Sequence, residues 1–238
     1  MTFIEWFIYF VIYSFIGYIA EVLFVSFSQK KLVNRGFLCG PICPIYGLGA
    51  ISMIIFLKRY VHDYTALFVF GALIASTLEY FISYALEKIF HNKWWDYSDK
   101  KINVNGRVCL SNTVLFGLGS VALLEFIHPF VSKYLLRVSK DYLIIIFIIL
   151  LVVLILDTIY SCVIAYNLRS RIIIVEELKN NKISKIPKIL QTSIKSRVKN
   201  LKVYPTRLVK AFPNIAAKYK TEFDIMGKLR KKKNKSKK

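Results

Sequence analysis

Long apolar stretches alternate with short polar breaks along the first 166 residues, and their lengths set the predicted elements. Phe, Ile, Tyr and Val occupy all sides of the stretch 2–28, which stops at Gln29, Lys30 and Lys31. As a helix it is about 40 Å long, enough to cross a bilayer with tilt. Its only early charge is Glu5, without the basic start of a cleavable leader, so it is expected to be a retained span. Further spans are expected over 41–57, 65–90, 108–130 and 142–166, the last nearly solid Ile, Leu and Val. The predicted fold is all-α, a polytopic integral membrane protein of about five transmembrane helices. Residues 1–166 form the transmembrane domain and 167–238 a basic cytoplasmic tail.

Composition agrees with this class, since 55% of the 238 residues are hydrophobic. Charge adds the orientation. Residues 167–238 carry 22 Lys or Arg against four Asp or Glu, whereas 1–166 carry 13 against 10. With five spans and the C-terminus inside, 30 of the 35 basic residues fall on the cytoplasmic side, as retention of positive loops requires. The N-terminus is then extracytoplasmic, and the chain belongs in a plasma membrane.

Two dense polar stretches interrupt the apolar pattern. The first runs Asn34-Arg-Gly-Phe-Leu-Cys-Gly-Pro-Ile-Cys-Pro-Ile-Tyr-Gly-Leu-Gly49. Two prolines within one turn of each other, beside glycines, prevent a regular helix from Gly40 to Pro44. In lipid such backbone must be buried in protein or face water. Arg35 offers a planar cationic fork to an anion or a carboxylate. The second stretch is Trp94-Trp-Asp-Tyr-Ser98 with Asn105-Gly-Arg-Val-Cys-Leu110. The predicted topology puts both on the cytoplasmic face, with Asp96 and Tyr97 on a loop that folds back over the interior. Tryptophan at an interface also has a simpler explanation as a membrane anchor.

The same topology gathers the intramembrane acids. Glu21 lies about 10 Å from the inner end of its span, Glu79 about 16 Å and Asp157 about 14 Å, with Asn112 and Thr113 at similar depth. Ionisable groups in a bilayer are costly unless paired or facing a wet cavity, so matching depths predict a cytoplasm-facing polar cavity. Local pairing with Ser83 and Ser161, each at i+4, is the packing alternative. Arg107 is the expected partner of Glu79, with Arg35 or a proton in its place otherwise. Gly47, Gly49, Gly117 and Gly119 are expected to permit close helix packing.

Cys39, Cys43, Cys109 and Cys162 lack paired metal-knuckle spacing and read as small buried thiols on the reducing side. No metal, cofactor or catalytic residue is predicted. Phosphate-loop and His-Glu-x-x-His signatures are absent, as are internal repeats and heptads, so ATP hydrolysis is not a property of this chain. In the tail, Ile186, Leu190, Ile194, Val198 and Leu201 recur at helical steps, with Pro187 at the helix start. This predicts a basic amphipathic helix on anionic lipid, with Lys231 to Lys238 adding attraction. Nucleic acid is the weaker partner, because the tail has no aromatic stacking platform.

Asn34-Arg-Gly-Phe-Leu, Gly40-Pro41, Cys43-Pro-Ile-Tyr-Gly47, Glu79-Tyr80, Trp94-Trp-Asp-Tyr-Ser98 and Gly106-Arg-Val-Cys-Leu110 resemble, in order, the signature blocks of the putative type IV ABC-transporter permease family. The resemblance covers residues 10–135. It implies a small bacterial polytopic membrane protein that works with a separate ATPase, and the matching polar positions are Asn34, Arg35, Glu79, Asp96, Tyr97 and Arg107. The leading expectation is a permease-like protein binding a solute or amphiphile among Glu21, Asn34, Arg35, Glu79, Asp96, Tyr97, Arg107, Asn112 and Asp157. One alternative is a membrane enzyme acting on a lipid or lipid-linked substrate at the inner leaflet. There Glu79 or Asp157 would serve as acid or base, and Arg35 or Arg107 would hold phosphate. The other is a non-catalytic assembly subunit.

Overall fold

The computed structural model describes residues 1–30 and 36–180, and the amphipathic helix expected around 186–201 lies outside them. Six helices follow in order: α1 (Phe3–Gln29), α2 (Pro44–Leu57), α3 (Tyr64–Phe90), α4 (Leu110–Ala122), α5 (His128–Leu135) and α6 (Lys140–Asn180). A two-stranded hairpin, β1 (Asn103–Val104) with β2 (Val108–Cys109), precedes α4. A π-helical turn, Leu123–Ile127, joins α4 to α5. Pro129 explains it: a proline ring collides with the carbonyl four residues back, here that of Glu125, and a widened turn relieves the collision.

Among the described residues, four helical segments are long and apolar enough to cross a membrane, namely Phe3–Phe27, Tyr64–Phe90, Leu110–Leu135 and Lys140–Tyr166. The chain is therefore an all-α polytopic membrane protein. The fourth expected span ends at Leu135 rather than 130, and α6 continues through the expected boundary at 166. The second expected span differs more. It is helical over only 14 residues, about 21 Å, which is short of a hydrocarbon core. Irregular backbone occupies 36–43 in its place.

Four backbone N–H groups of that irregular segment have partners. The Asp157 carboxylate accepts the backbone N–H of Cys39 through Oδ1 and of Gly40 through Oδ2, both at 2.8 Å. Ile42 N–H donates to the Gly40 carbonyl (2.8 Å), and Cys43 N–H to the Ser14 carbonyl (3.0 Å). Pro41 and Pro44 have no N–H to satisfy. The bond to Ser14 also fixes depth, because Ser14 is near the middle of α1. α2 therefore begins halfway along its neighbour and packs antiparallel to it. A helix broken in this way is tolerated in lipid where protein covers the break.

Helix contacts are close. Gly47 lies against the Phe10 carbonyl oxygen and the Ser14 side chain, so a Cβ there would overlap both. Gly117 meets Phe68, ring and carbonyl, on α3. The fully buried Ser120 hydroxyl donates to the Leu67 carbonyl across the α3–α4 contact (2.5 Å). Gly49 and Gly119 face open space instead, so the expectation of close packing holds for one glycine of each pair.

At the end holding the N-terminus of α1, the core gathers Ile8, Tyr9, Tyr13, Met53, Ile54, Leu67, Leu124 and Leu143. Tyr13 Oη pairs with His128 Nδ1 at 2.7 Å, and Tyr9 Oη donates to Ser132 Oγ at 3.0 Å. Glu125 holds the turn before α3 by accepting His62 N–H at 2.6 Å. At the opposite end, Phe90 and Trp94 pack with Ile164 and Ala165 of α6.

Gly47→Ala and Gly117→Ala are expected to lose about 1–3 kcal/mol each from overpacking, while Gly49→Ala and Gly119→Ala stay near wild type. Thermal unfolding of the four purified variants in one detergent checks this. Equal losses in all four would contradict the packing described.

Candidate functional site

The two polar stretches meet at one end of the helices. Phe37 of the first contacts Trp94 of the second edge-to-face, with ring centroids 5.0 Å apart. The loop 91–109 between α3 and α4 is held by its own sequence. Asn105 and Gly106 both adopt positive φ, 53° and 69°, and Arg107 N–H closes their turn on the Val104 carbonyl at 3.0 Å. Asn and Gly suit this left-handed pair of positions, which is why the hairpin turns here. Tyr97 N–H donates to the Gly106 carbonyl (2.8 Å) and Trp95 Nε1 to the Arg107 carbonyl (3.0 Å), tying the Trp-Trp-Asp-Tyr stretch to the turn.

Asp96 serves that loop. It accepts the Ser98 hydroxyl at 2.5 Å and the Ser98 N–H at 3.1 Å, with Lys93 Nζ at 3.4 Å. The Ser98 hydroxyl is the main reason its carboxyl is held below the ordinary carboxylate range, with the Ser98 amide and Lys93 adding to the effect. The Gly106 Cα lies against the same Asp96 and Ser98 atoms and leaves no room for a side chain.

Arg107 does not pair with Glu79. Its Nη2 contacts Glu87 Oε2 at 2.6 Å, and its guanidinium sits 5.4 Å from the ring centroids of both Tyr80 and Tyr84. The reason is positional: the hairpin brings Arg107 beside the last turns of α3, two turns short of Glu79. Glu79 receives Tyr97 instead. Tyr97 Oη donates to Glu79 Oε1 at 3.3 Å and accepts from Asn112 Nδ2 at 2.7 Å. The expected i+4 alternative with Ser83 is not what Glu79 uses.

Glu21 sits within electrostatic reach of this group and accepts Tyr46 Oη at 2.5 Å. Tyr46, one turn into α2, is likewise close to Tyr97. The structure thus brings Glu21, Glu79, Tyr97 and Asn112 into one cluster. Asp96 and Arg107 belong to the covering loop, and Asp157 to the brace on Cys39 and Gly40, where Ser161 Oγ also reaches Asp157 Oδ1 at 3.2 Å. Asn34 and Arg35 lie outside the described residues. Tyr46 was not singled out from sequence, and the signal that marks it is its place inside Cys43-Pro-Ile-Tyr-Gly47. Cys39, Cys43, Cys109 and Cys162 are all free thiols.

Glu79 is the distinctive member. The residue is 6% exposed, and its Oε2 is buried without a hydrogen-bond partner among the described residues. A buried charged acceptor left unmatched is expensive, so such an atom marks a place where a donor is missing or a proton is held.

Glu87→Gln and Arg107→Gln are expected to couple by about 0.5–3 kcal/mol in a double-mutant cycle, whereas Glu79→Gln and Arg107→Gln add to within about 0.5 kcal/mol. Thermal stability of the purified variants is the readout. Coupling of Arg107 to Glu79 but not to Glu87 would contradict the geometry.

Among curated proteins and solved structures none matches the chain. One family model does, over residues 8–162, which extends the sequence resemblance on both sides and takes in Glu21, Tyr46, Glu79, the covering loop, Asn112 and Asp157. With about two thirds of its length matched, the chain belongs to the family described as Putative ABC-transporter type IV.

Proposed function

We propose that the protein is a permease-like membrane component whose cytoplasm-facing polar cavity is built around Glu21, Tyr46, Glu79, Tyr97 and Asn112 and admits a solute or amphiphile. The observation that carries this reading is the buried Glu79 side chain, whose Oε2 has no hydrogen-bond partner among the described residues. An acid in that position costs stability, and ligand or proton handling is the usual reason for such a group in a transmembrane helix. The broken second crossing supports the same reading. Non-helical backbone at membrane depth is found where it is covered by protein or lines a cavity, and transporter sites are commonly built beside the starts of such half-helices. The distribution of Lys and Arg supports a cytoplasmic opening with the N-terminus outside.

Membership of an ABC-transporter family supports a separate ATPase as the partner, since this chain carries no nucleotide-binding signature. A membrane enzyme is the weaker reading. One of its two candidate phosphate-holding arginines, Arg107, is engaged by Glu87, the other, Arg35, lies outside the described residues, and one of its candidate bases, Asp157, is committed to two backbone amides.

Asn112→Cys, in a chain whose four native cysteines are replaced by serine, tests the cavity and its side together. A membrane-impermeant thiol reagent is expected to modify it in inside-out vesicles and leave it untouched in right-side-out vesicles. Reaction from the outer side, or from neither, would overturn the proposal.

A further inference from the structure

The two polar stretches match one another. Gly36-Phe-Leu-Cys-Gly-Pro-Ile-Cys-Pro-Ile-Tyr-Gly-Leu-Gly-Ala-Ile51 aligns without a gap on Gly106-Arg-Val-Cys-Leu-Ser-Asn-Thr-Val-Leu-Phe-Gly-Leu-Gly-Ser-Val121, and Gly36, Cys39, Gly47, Leu48 and Gly49 recur 70 residues on. The helices before them match too. Phe10, Val11, Ile16 and Glu21 of α1 recur 58 residues on, in α3, as Phe68, Val69, Ile74 and Glu79. The expected absence of internal repeats is thereby corrected. Glu79 and Gly106 stand twelve residues farther apart than Glu21 and Gly36, so no single period runs through the chain.

The correspondence holds in three dimensions. α1 and α3 have 27 residues each, and their starts lie at one end, where Ile8 and Leu67 share a core. Gly47 of α2 rests on the carbonyl and ring of Phe10, and Gly117 of α4 on the carbonyl and ring of Phe68, so one contact is made twice by counterpart residues. Gly49 and Gly119 both face open space. The counterparts Cys43 and Thr113 each meet a serine near the middle of the preceding long helix, Ser14 and Ser76. The halves differ at one hydroxyl. Tyr46 donates to Glu21, but its counterpart is Phe116, and Glu79 takes its hydroxyl from Tyr97, inside the longer stretch between Glu79 and Gly106.

We infer that the membrane domain is a duplication, α1 with α2 and α3 with α4, whose two units stand side by side in one orientation with Glu21 and Glu79 as counterpart carboxylates at their junction. Glu21 lies within electrostatic reach of Glu79, and Tyr46 of Tyr97, so the units meet at these positions. Binding sites of transporters built from repeats lie at such junctions. The inference rests on the cavity reading above and adds how the cavity is built: each unit supplies one wall and one carboxylate, and a bound solute or amphiphile touches both.

Two experiments on the full-length chain test this. With the four native cysteines replaced by serine, a short bis-methanethiosulfonate is expected to bridge Glu21→Cys to Glu79→Cys, and Tyr46→Cys to Tyr97→Cys, read as linked peptides by mass spectrometry. Glu21→Cys with Glu125→Cys, at opposite ends of the helices, should stay unbridged. Failure of both junction pairs, or equal bridging of the control, would overturn the junction. The second experiment rebuilds the first unit's contact in the second. A Cβ at Gly17 would overlap Tyr46, and the counterpart of Gly17 is Ala75. Tyr97→Phe is expected to lower the thermal midpoint by about 2–4 °C, and by less than half as much in the Ala75→Gly/Phe116→Tyr background, whose added hydroxyl serves Glu79. An undiminished loss would overturn the counterpart assignment, and the bridging decides if that background folds poorly. Labelling of Asn112→Cys separates the two proposals. Bridged pairs with an unreactive cysteine leave the duplication and remove the cavity, whereas a reactive cysteine without bridging leaves the cavity and removes the junction.

Discussion

A backbone N–H inside a membrane must find a partner within the protein, and the Asp157 carboxylate meets that demand where the chain can least meet it alone. Proline at 41 and 44 denies 36–43 a helix, and the two bonds from Cys39 and Gly40 to Asp157 replace the ladder that a helix would have supplied. The arrangement is reciprocal. A carboxylate on a lipid-facing helix is costly, and two charge-assisted bonds from fixed amides offset much of that cost. It also ties α6, otherwise mostly exposed along its span, to the interior of the protein.

The rest of the site follows from that brace. With 36–43 held, α2 starts halfway along α1, and Gly47 lets it approach to contact with Phe10 and Ser14. That approach sets Tyr46 on Glu21. From the other side, the hairpin turn at Asn105 and Gly106 folds the loop 91–109 back along α3, so that Tyr97 reaches Glu79 while Arg107 is absorbed by Glu87 and two tyrosine rings. The consequence is a separation of charge. The arginine pairs with Glu87 at the end of α3, and among the described residues Glu79 meets the neutral donors Tyr97 and Asn112.

Much of this is legible in the amino-acid sequence. Run lengths point to the four helices that are long and apolar enough to cross a membrane, and the proline pair marks the place where the second expected span is broken. The meeting of the two polar stretches followed from counting spans, and the Ser161 contact of Asp157 from its i+4 spacing. What spacing could not supply was the partner of each long side chain. Glu79 and Glu87 are two turns of one helix, about 12 Å, apart, and only the hairpin's path decides which of them Arg107 meets. Asp157 looked like a cavity acid because its use is to bond main-chain amides, and no side-chain pattern announces that. The π-helical turn was likewise hidden, since Pro129 signals a disturbance without stating its form.

Two main-chain amides of the broken second helix are held by one side chain, Asp157. Hydrogen exchange of the 36–43 segment, followed by mass spectrometry in nanodiscs for wild type and Asp157→Ala, tests it most directly. Slow exchange at Cys39 and Gly40 in wild type, accelerated in the variant while α3 and α4 keep their protection, is the predicted result. Fast exchange in wild type, or protection that survives loss of the carboxylate, would contradict the account.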